Sequence, residues 1–397
     1  MSAAIGGWLR AIPPTQEDVL TLQVGNQQLE GWQRVSVTRS MDAFPASFDL
    51  EVTERYPDRP AIDVKPGDPC TVSIGGDLVI TGYVDRYAAS ISASQHTVRI
   101  QGRSKSADLV DCSAFIGSAN DVQTQVPDAK ALQIAQKIAK PYGVTITSLA
   151  GDGAEIKQFL INLGETCWDV IDRLLRISGF VAYDMPDGSV MFARAGTESM
   201  SSGFAIGRNV EQADVSYSMD QRFSEYEPFF LSVQMYGTNG KPLTDPHAGP
   251  IVKDEGVPRF RKRFIVSEQM DGSTPLAQKR AEWERNRRQG RSQQFNVTCD
   301  SWRDGAGKLW APNHTAPIQA DVLKLGSVNW VIAGVSYVRD ENGNHASLAL
   351  MPKEAFDPEP AAQFYLPPFV QDVAPHKDGA ITGGTGSTVG GSQRVQA

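Results

Sequence analysis

Pro66 to Cys112 reads PGDPCTVSIGGDLVITGYVDRYAASISASQHTVRIQGRSKSADLVDC. Val72 and Ile74 alternate with polar residues up to Gly75-Gly76, and Leu78 and Ile80 resume the alternation after it. Period-2 alternation interrupted by two glycines predicts an antiparallel hairpin with a tight two-residue turn. Val98 and Ile100 predict the next strand, and Gly102-Arg103-Ser104 an exit from it. Nothing in the stretch has the makings of a catalytic group. It specifies geometry, and a second stretch near 310–351 has the same grammar.

Upstream, Leu20, Leu22 and Val24 lead into a Gly25-Asn26 turn. Trp32, Val35 and Val37 alternate, and Phe48, Leu50 and Val52 alternate again. Six short strands in the first hundred or so residues predict a small barrel, because closure removes exposed edges. Past Cys112 the period changes. Leu132, Ala135, Ile138 and Ala139 predict a helix within Asp128–Tyr142. A second helix begins at Thr166, which forms a capping box with Asp169, and Gly179 suits its end. Pro186-Asp187-Gly188 then marks a hairpin turn.

Strands return at Val215–Met219 and Phe230–Met235. A polar interruption from Gly237 to Gly256 follows, then Phe260, Phe264 and Val266, and the charged helix PLAQKRAEWERNRRQGR at 275–291. The segment reads as an insertion, because strand patterning resumes at Phe295, Val297 and Cys299.

The two β units correspond piece by piece. Phe48–Thr53 matches Phe295–Cys299, and Pro66-Gly67 matches Pro312-Asn313. Gly82-Tyr83-Val84 matches Gly334–Tyr337, and Val98/Ile100 match Leu348/Leu350. This pattern predicts an internal duplication, the competing explanation being turn chemistry that all antiparallel barrels share. The expected class is α+β, mainly β, with two similar antiparallel barrels and two smaller α+β domains. The expected boundaries are 5–110 for the first barrel, 111–207 for an α+β domain, and 208–236 with 292–356 for the second barrel. An inserted α+β domain takes 237–291 with 357–372, and 373–397 is a flexible Gly/Ser-rich tail in which Phe364, Tyr365, Leu366 and Phe369 just upstream are able to dock.

The totals set limits. The chain has 397 residues, 21% of them charged, and a net charge of −8. That composition is ordinary for a soluble globular protein and argues against a dedicated nucleic-acid binder. It leaves room for a passage through which DNA slides. Cys70, Cys112, Cys167 and Cys299 are widely spaced, so free thiols are expected rather than zinc or disulfides. No secretory leader and no transmembrane run is expected.

The chemical motifs fail on inspection. Gly384-Thr385-Gly386 lacks the third glycine, since position 389 is Val. Gly305-Ala306-Gly307-Lys308 is followed by Leu309 and preceded by Trp302 where a phosphate loop needs Ser/Thr and Gly. Ser106 stands where a nucleophile elbow at Ser104 needs glycine. Asp340–Asn344 lacks calcium-loop spacing, and Asn342-Gly343 reads as a type I′ turn. His96, His247, His314, His345 and His376 are scattered. The arginines of the 275–291 helix read as a solvated or packed face rather than a phosphate surface. No catalytic, cofactor-binding or metal-ligating residue is assigned, and no cofactor is expected.

A resemblance emerges from three sets of residues: Pro66-Gly67-Asp68, Thr81-Gly82-Tyr83-Val84-Asp85 and Gly102–Cys112. RAEWERNRRQGRS (280–292), GKLWAPN (307–313) and LALMPKEAF (348–356) extend it. In combination they resemble the baseplate hub proteins of Mu-like contractile phage tails over about residues 5–370. The resemblance implies a non-enzymatic structural protein, similar in fold to the T-even phage hub and to the N-terminal part of type VI secretion spikes. It further implies a homotrimer in the virion, assembled in the host cytoplasm. Two barrels per subunit would make a pseudo-sixfold ring between a sixfold tail tube and a threefold membrane-piercing spike, with other baseplate proteins around it. Genomic DNA would pass without specific binding, and the protein itself would not insert into membrane. Two other readings stay open: a tail-borne peptidoglycan hydrolase, and the hub portion of a secretion spike.

Overall fold

The computed structural model describes residues 18–53, 63–92, 96–118, 121–231, 247–268 and 275–360. The predicted docking residues Phe364–Phe369, the tail 373–397, and Val233 and Met235 lie outside them.

The first unit is β1 (Leu20–Val24), β2 (Gln27–Leu29), β3 (Arg34–Ser40), β4 (Ser47–Thr53), β5 (Pro69–Ile74), β6 (Asp77–Ile91) and β7 (His96–Ser104). The glycine hairpin forms as read. Gly75 and Gly76 have φ of 56° and 88°, and Ile74 pairs with Asp77. Positive φ at both central residues is the requirement of the type I′ turn, which matches the twist of the strands it joins. Burial follows the alternation: Leu20, Leu22, Val72, Ile74, Val98 and Ile100 are inside.

A short helix α1 (Ala107–Asp111) leads into the next domain. There follow β8 (Ile116–Ser118), β9 (Asp121–Gln123), β10 (Gln125–Lys130), α2 (Ala131–Ala139), β11 (Ile146–Ser148), β12 (Glu155–Leu160), α3 (Cys167–Ser178), β13 (Val181–Asp184) and β14 (Val190–Ala193). The helix predicted within Asp128–Tyr142 is α2, which starts at Ala131. The ladder β10–β12 holds Gln125–Lys130 extended, and bonds to Ala154 and Asp152 seat the first turn. The cap of α3 is as expected. Thr166 Oγ1 accepts from Asp169 N at 3.1 Å, the Asp169 carboxylate accepts from Thr166 N at 3.1 Å, and Gly179 has φ 69°. This domain has its own core around Ile134, Ile138, Val170, Ile171 and Leu174.

A buried carboxylate clasps it to the first unit. Asp184, at the end of β13, accepts from Ala46 N, from Ser106 Oγ and, at 3.4 Å, from Ser104 Oγ. Its backbone oxygen accepts from the Arg39 guanidinium at 3.1 Å. Burial is the largest influence on Asp184 and raises its pKa, against the opposing pull of these donors.

The rest comprises β15 (Glu198–Ser199), β16 (Phe204–Ala205), β17 (Val210–Tyr217), β18 (Glu225–Leu231), β19 (His247–Ala248), β20 (Val252–Lys253), β21 (Lys262–Glu268), α4 (Pro275–Arg291), β22 (Gln293–Cys299), β23 (His314–Ala320), β24 (Leu325–Asp340) and β25 (Gly343–Met351). The stretch near Phe230 was expected to continue the second β unit. Instead β18 pairs with β19, β20 and β21 in a separate four-stranded sheet. Helix α4 packs on it through Ala277 and Ala281, both fully buried. The turn before β25 also differs from expectation. Glu341 and Asn342 are its central residues, Asp340 pairs with Gly343, and Gly343 carries φ 118°. The Asp340 carboxylate accepts from Asn342 N at 2.7 Å, an Asx-type closure that shifts the turn by one residue.

The two β units are not two closed barrels. They form one 14-stranded sheet in the order β17-β22-β25-β24-β3-β4-β7-β6-β5-β1-β2, with β23 also on β24 and the short β15 and β16 on β23. No ladder among the described residues closes it. The free edge of β3 is taken by β24 of the other unit, so a strand that would have sealed one barrel joins the two units. The fold is α+β and mainly β, with smaller α+β parts.

Candidate assembly interface

The duplication holds at the level of register, in an alignment that corrects the one read from sequence: the ladders put Gly82 at the place of Trp330 rather than Gly334, and Ile100 rather than Val98 at the place of Leu348. In the first unit β3-β4-β7-β6-β5 are consecutive neighbours, and in the second β17-β22-β25-β24-β23. Pro69 pairs with Tyr83 and Val72 with Ile80, as Thr315 pairs with Val331 and Ile318 with Val328. Val84 pairs with Gly102, then the ladder slips and Arg86 pairs with Gln101. Ile332 pairs with Leu350, then slips, and Gly334 pairs with Ala349. The bulged residues Asp85 and Ala333 are therefore equivalent. A β-bulge is a local irregularity with no reason to recur at one place in unrelated sheets. Gly67 N donates to Val84 O at 2.7 Å, and Asn313 N donates to Ile332 O at 2.9 Å. Gly67 and Asn313 both have positive φ, 94° and 61°. Asparagine tolerates this conformation where other side chains do not. Its side chain, almost fully buried, accepts from Gly196 N at 2.7 Å and donates to Arg194 O at 3.2 Å.

The joint between units is β3 on β24, from Ser40 opposite Gly334 to Val35 opposite Arg339. Val35, Val37, Val335 and Tyr337 are buried beneath it, and the cores of both units run together. On the opposite face Thr38 Oγ1 and Ser336 Oγ meet at 2.9 Å. Arg303 braces the joint from the side, 8% exposed. It donates to Asp18 at 2.8 Å, Asp77 at 2.5 Å, Gly307 O at 2.9 Å and Ile74 O at 3.0 Å, so the second unit grips the glycine hairpin of the first. Trp302 Nε1 donates to His345 O at 2.8 Å, and Tyr337 donates its hydroxyl proton to Trp310 O.

The outer face of this sheet is polar across both units. Arg99 is bound bidentately to Asp49, Gln101 donates to the same acid, and Arg103 is shared by Asp85 and Asp111. Asn296 donates to Asp214 at 2.9 Å. A trough of about 660 Å³ runs along it, lined by Thr38, Asp214, Asn296, Ser336 and Ser347 among others. The small sheet exposes Phe264 and Val266, 59% and 64% exposed, and Phe260 in the loop before β21 is 76% exposed.

The chemistry-bearing residue types stay apart. Among the described residues no group of three or more His, Cys, Asp or Glu is placed to hold a metal ion. His314 pairs with Glu198 and His345 with Glu211 on separate strands. All four cysteines are free, and burial pushes the Cys70, Cys167 and Cys299 thiols up to about 12, far from a reactive thiolate. The arginines of α4 are spent internally. Arg263 and Arg288 share Glu284, Arg280 donates to Pro360 O, and Arg287 and Arg291 donate to Asp357 O and Ala355 O. No described helix is long and apolar enough to cross a membrane.

Three family models match in succession. Residues 19–104 match the N-terminal domain of the Mu phage baseplate assembly protein GpP-like family. Residues 106–194 match the second domain of the baseplate hub protein gp44-like family, and 273–359 the fourth domain of Mu phage baseplate assembly protein GpP. The chain belongs to the Mu-like baseplate hub family. It is a structural hub protein of the phage tail baseplate. The baseplate hub protein gp44 of Escherichia phage Mu is 29% identical over 383 residues, covering 94% of this chain and 95% of its own length. The crystal structure of the 43 kDa tail protein of prophage MuSo2 from Shewanella oneidensis superposes with a TM-score of 0.74 at 28% identity, over 87% of this chain and all of that one. The hub fold extends further. The E. coli c3393 protein, described as a type VI secretion component similar to the T4 tail proteins gp27 and gp5, superposes at TM-score 0.53 with 12% identity, over 87% of this chain and 80% of its own.

Proposed function

We propose that three copies of this chain close into a ring of six β units that joins the sixfold tail tube to the threefold membrane-piercing spike. The observation that carries the reading is the duplication in register, down to the matched bulges at Asp85 and Ala333. A chain with two nearly equal units presents near-sixfold symmetry on one set of contacts and strict threefold symmetry on the rest, and a joint between tube and spike needs both. Each unit is then a barrel left open on one side, its wall completed by its neighbours in the ring.

The polar sheet face supports a passage for DNA. Its arginines Arg99 and Arg103 are already held by acids, so they offer phosphate no strong grip. The exposed apolar residues Phe260, Phe264 and Val266 suit contacts with other baseplate proteins. We propose the virion baseplate as the place of work and the host cytoplasm as the place of assembly. We also propose a domain division shifted from the sequence reading: a first unit to about 105, an α+β domain to 194, a second unit of 198–217 with 293–351, and an inserted domain between 218 and 292. Light scattering at micromolar concentration is expected to give three times the 43.1 kDa chain mass, and class averages a ring with a central hole. A monodisperse monomer under those conditions refutes the proposal. The secretion-spike reading rests on fold likeness alone, and no observation favours the hydrolase.

A further inference from the structure

One face of the small sheet is covered by helix and the other is not. Helix α4 lies on the first, where Ala277 and Ala281 are fully buried and Glu284 accepts from Arg263 at 3.0 Å. Strand alternation turns the neighbours Phe264 and Val266 to the second. They are 59% and 64% exposed there. Phe229 extends the strip: it pairs with Val266 across the ladder, and its ring stands edge-on to Phe264 with 5.2 Å between centroids. β21 is also an outer strand, with β18 on one edge and no strand on the other among the described residues.

The chain after β25 leads towards this edge. Its backbone runs along α4 from the last turn to the first. Ala355 O accepts from Arg291, Asp357 O from Arg287 and Trp283, and Pro360 O from Arg280, at 2.6–3.2 Å. At about 100° per residue these four side chains stand roughly a quarter-turn from Ala277, Ala281 and Glu284, which face the sheet. The opposite flank belongs to β20, whose Lys253 O lies 3.5 Å from Arg285. The backbone of 355–360 therefore lies on the β21 side of the helix. Four more residues span about 13 Å, more than the ~10 Å between packed layers, which is enough to bring Phe364 round the edge of β21. From there Phe364, Tyr365, Leu366 and Phe369 supply a dense apolar run. Pro367 and Pro368 have no N–H to give a ladder, so the run suits the face of a sheet and not its edge. We propose that residues 364–369 pack over Phe264, Val266 and Phe229, closing the open face of the small sheet with the chain's own C-terminal segment. The tail from 370 is then tethered to the inserted domain, and Phe260 in the neighbouring loop stays available to other baseplate proteins. The packing is internal to one copy and does not depend on the ring.

Chymotrypsin on the full-length chain tests this, since it cuts after the aromatic residues of 364–369. In wild type those cuts are expected to be slow. Val266→Asp puts a charge under the packed segment but sits exposed without it. It is expected to speed those cuts about tenfold or more, with the circular dichroism spectrum and the cuts elsewhere unchanged. Val266→Ser is the milder variant should the aspartate disturb the sheet, and the same direction is expected. Phe260→Asp, in the loop, is expected to leave the rate at wild type. Equal rates in wild type, Val266→Asp and Val266→Ser overturn the packing. Protection that disappears on dilution from micromolar to nanomolar protein also overturns it, because the cover is then a second copy. Light scattering on the same samples keeps the two readings apart. A trimer with 364–369 unprotected sinks the packing and leaves the ring, whereas a monomer with 364–369 protected does the reverse.

Discussion

Replacing Gly82 with alanine puts a methyl group where the strands leave no space for one. A Cβ at this position would lie 1.9 Å from the Arg103 carbonyl oxygen and 2.8 Å from Ser104 Cα, both backbone atoms of β7. The tightest tolerable contact is near 3.0 Å, so β6 and β7 must part by more than 1 Å at the Gly82–Ser104 pair. Ladder bonds start near 2.9 Å, and an opening of that size takes two or three of them beyond bonding range, at about 1 kcal/mol each. Overpacking adds a further ~1–3 kcal/mol, for a total of roughly 3–5 kcal/mol. The ladder is just as close two pairs along, where a Cβ on Gly102 would meet Tyr83 O at 2.2 Å and the Phe48 ring at 2.4 Å. Urea unfolding followed by tryptophan fluorescence reads the effect, since Trp32, Trp302, Trp310 and Trp330 all sit in the shared core. Gly326→Ala is the matched control. Nothing lies within 4 Å of its Cβ, and its midpoint is expected to stay within about 0.5 kcal/mol of wild type. Equal midpoints for Gly82→Ala and Gly326→Ala would refute the close-approach argument.

Three further outcomes are expected. Arg303→Met leaves Asp18 without its partner and the Ile74 carbonyl without its donor, and is expected to lose about 3 kcal/mol in chemical unfolding, with Arg303→Lys recovering less than half because an ammonium has no fork; an unchanged midpoint would mean the brace is ornamental. Asp184 has a raised pKa, so its contribution is fully present below the unfolded value near 3.8 and is lost as pH rises through the folded value. Melting temperatures of wild type and Asp184→Asn across pH 4 to 7 are therefore expected to shift in the variant's favour as pH rises, and a difference that is flat in pH contradicts the assignment. At Asn313, glycine keeps the backbone but loses two hydrogen bonds, about 1 kcal/mol each, whereas alanine adds left-handed strain of a further ~1 kcal/mol or more; a calorimetric order in which Asn313→Ala melts above Asn313→Gly would be inconsistent with that geometry.

The sequence carried the local geometry well because local geometry is encoded in neighbouring residues. Two adjacent glycines set the hairpin, and Thr166 and Asp169 set the start of α3. Pro66-Gly67 and Pro312-Asn313 disclosed the duplicated loop before any coordinates. What alternation cannot disclose is which strand lies beside an edge. Val35 and Val37 announced a buried face, but nothing in them says that their edge belongs to Arg339 and Tyr337, about 300 positions away. That pairing is made by backbone groups, which every residue carries. The same gap hid β18, whose alternation suits either sheet, and Arg303, whose four acceptors come from three separate segments. The turn at Asp340–Gly343 went astray for a different reason. Asn-Gly favours a positive-φ pair, yet the Asp340 carboxylate closes the turn one residue earlier, so a side-chain bond outweighed backbone preference.

The two units are equal where they pair and unequal elsewhere, and that division fits a symmetry joint. Register, bulge and loop geometry agree from β3 to β7 and from β17 to β25, while the cores have drifted apart: Gly82 and Gly102 in one unit stand where Trp330 and Leu350 stand in the other. A glycine pair lets strands close up, and a tryptophan with a leucine fills the same place from a different spacing. Side chains inside each unit were free to diverge because only the backbone edges must match from unit to unit. The unequal additions hang from the ends of this conserved ladder: the domain of α2 and α3 after β7, and the β18–α4 insertion between β17 and β22. On the proposed ring, six like edges would be alternately decorated, so any partner that reads the edges meets near-sixfold symmetry and any partner that reads the decorations meets threefold symmetry. A single chain achieves this only if its internal joint and its joint to the next copy share one geometry.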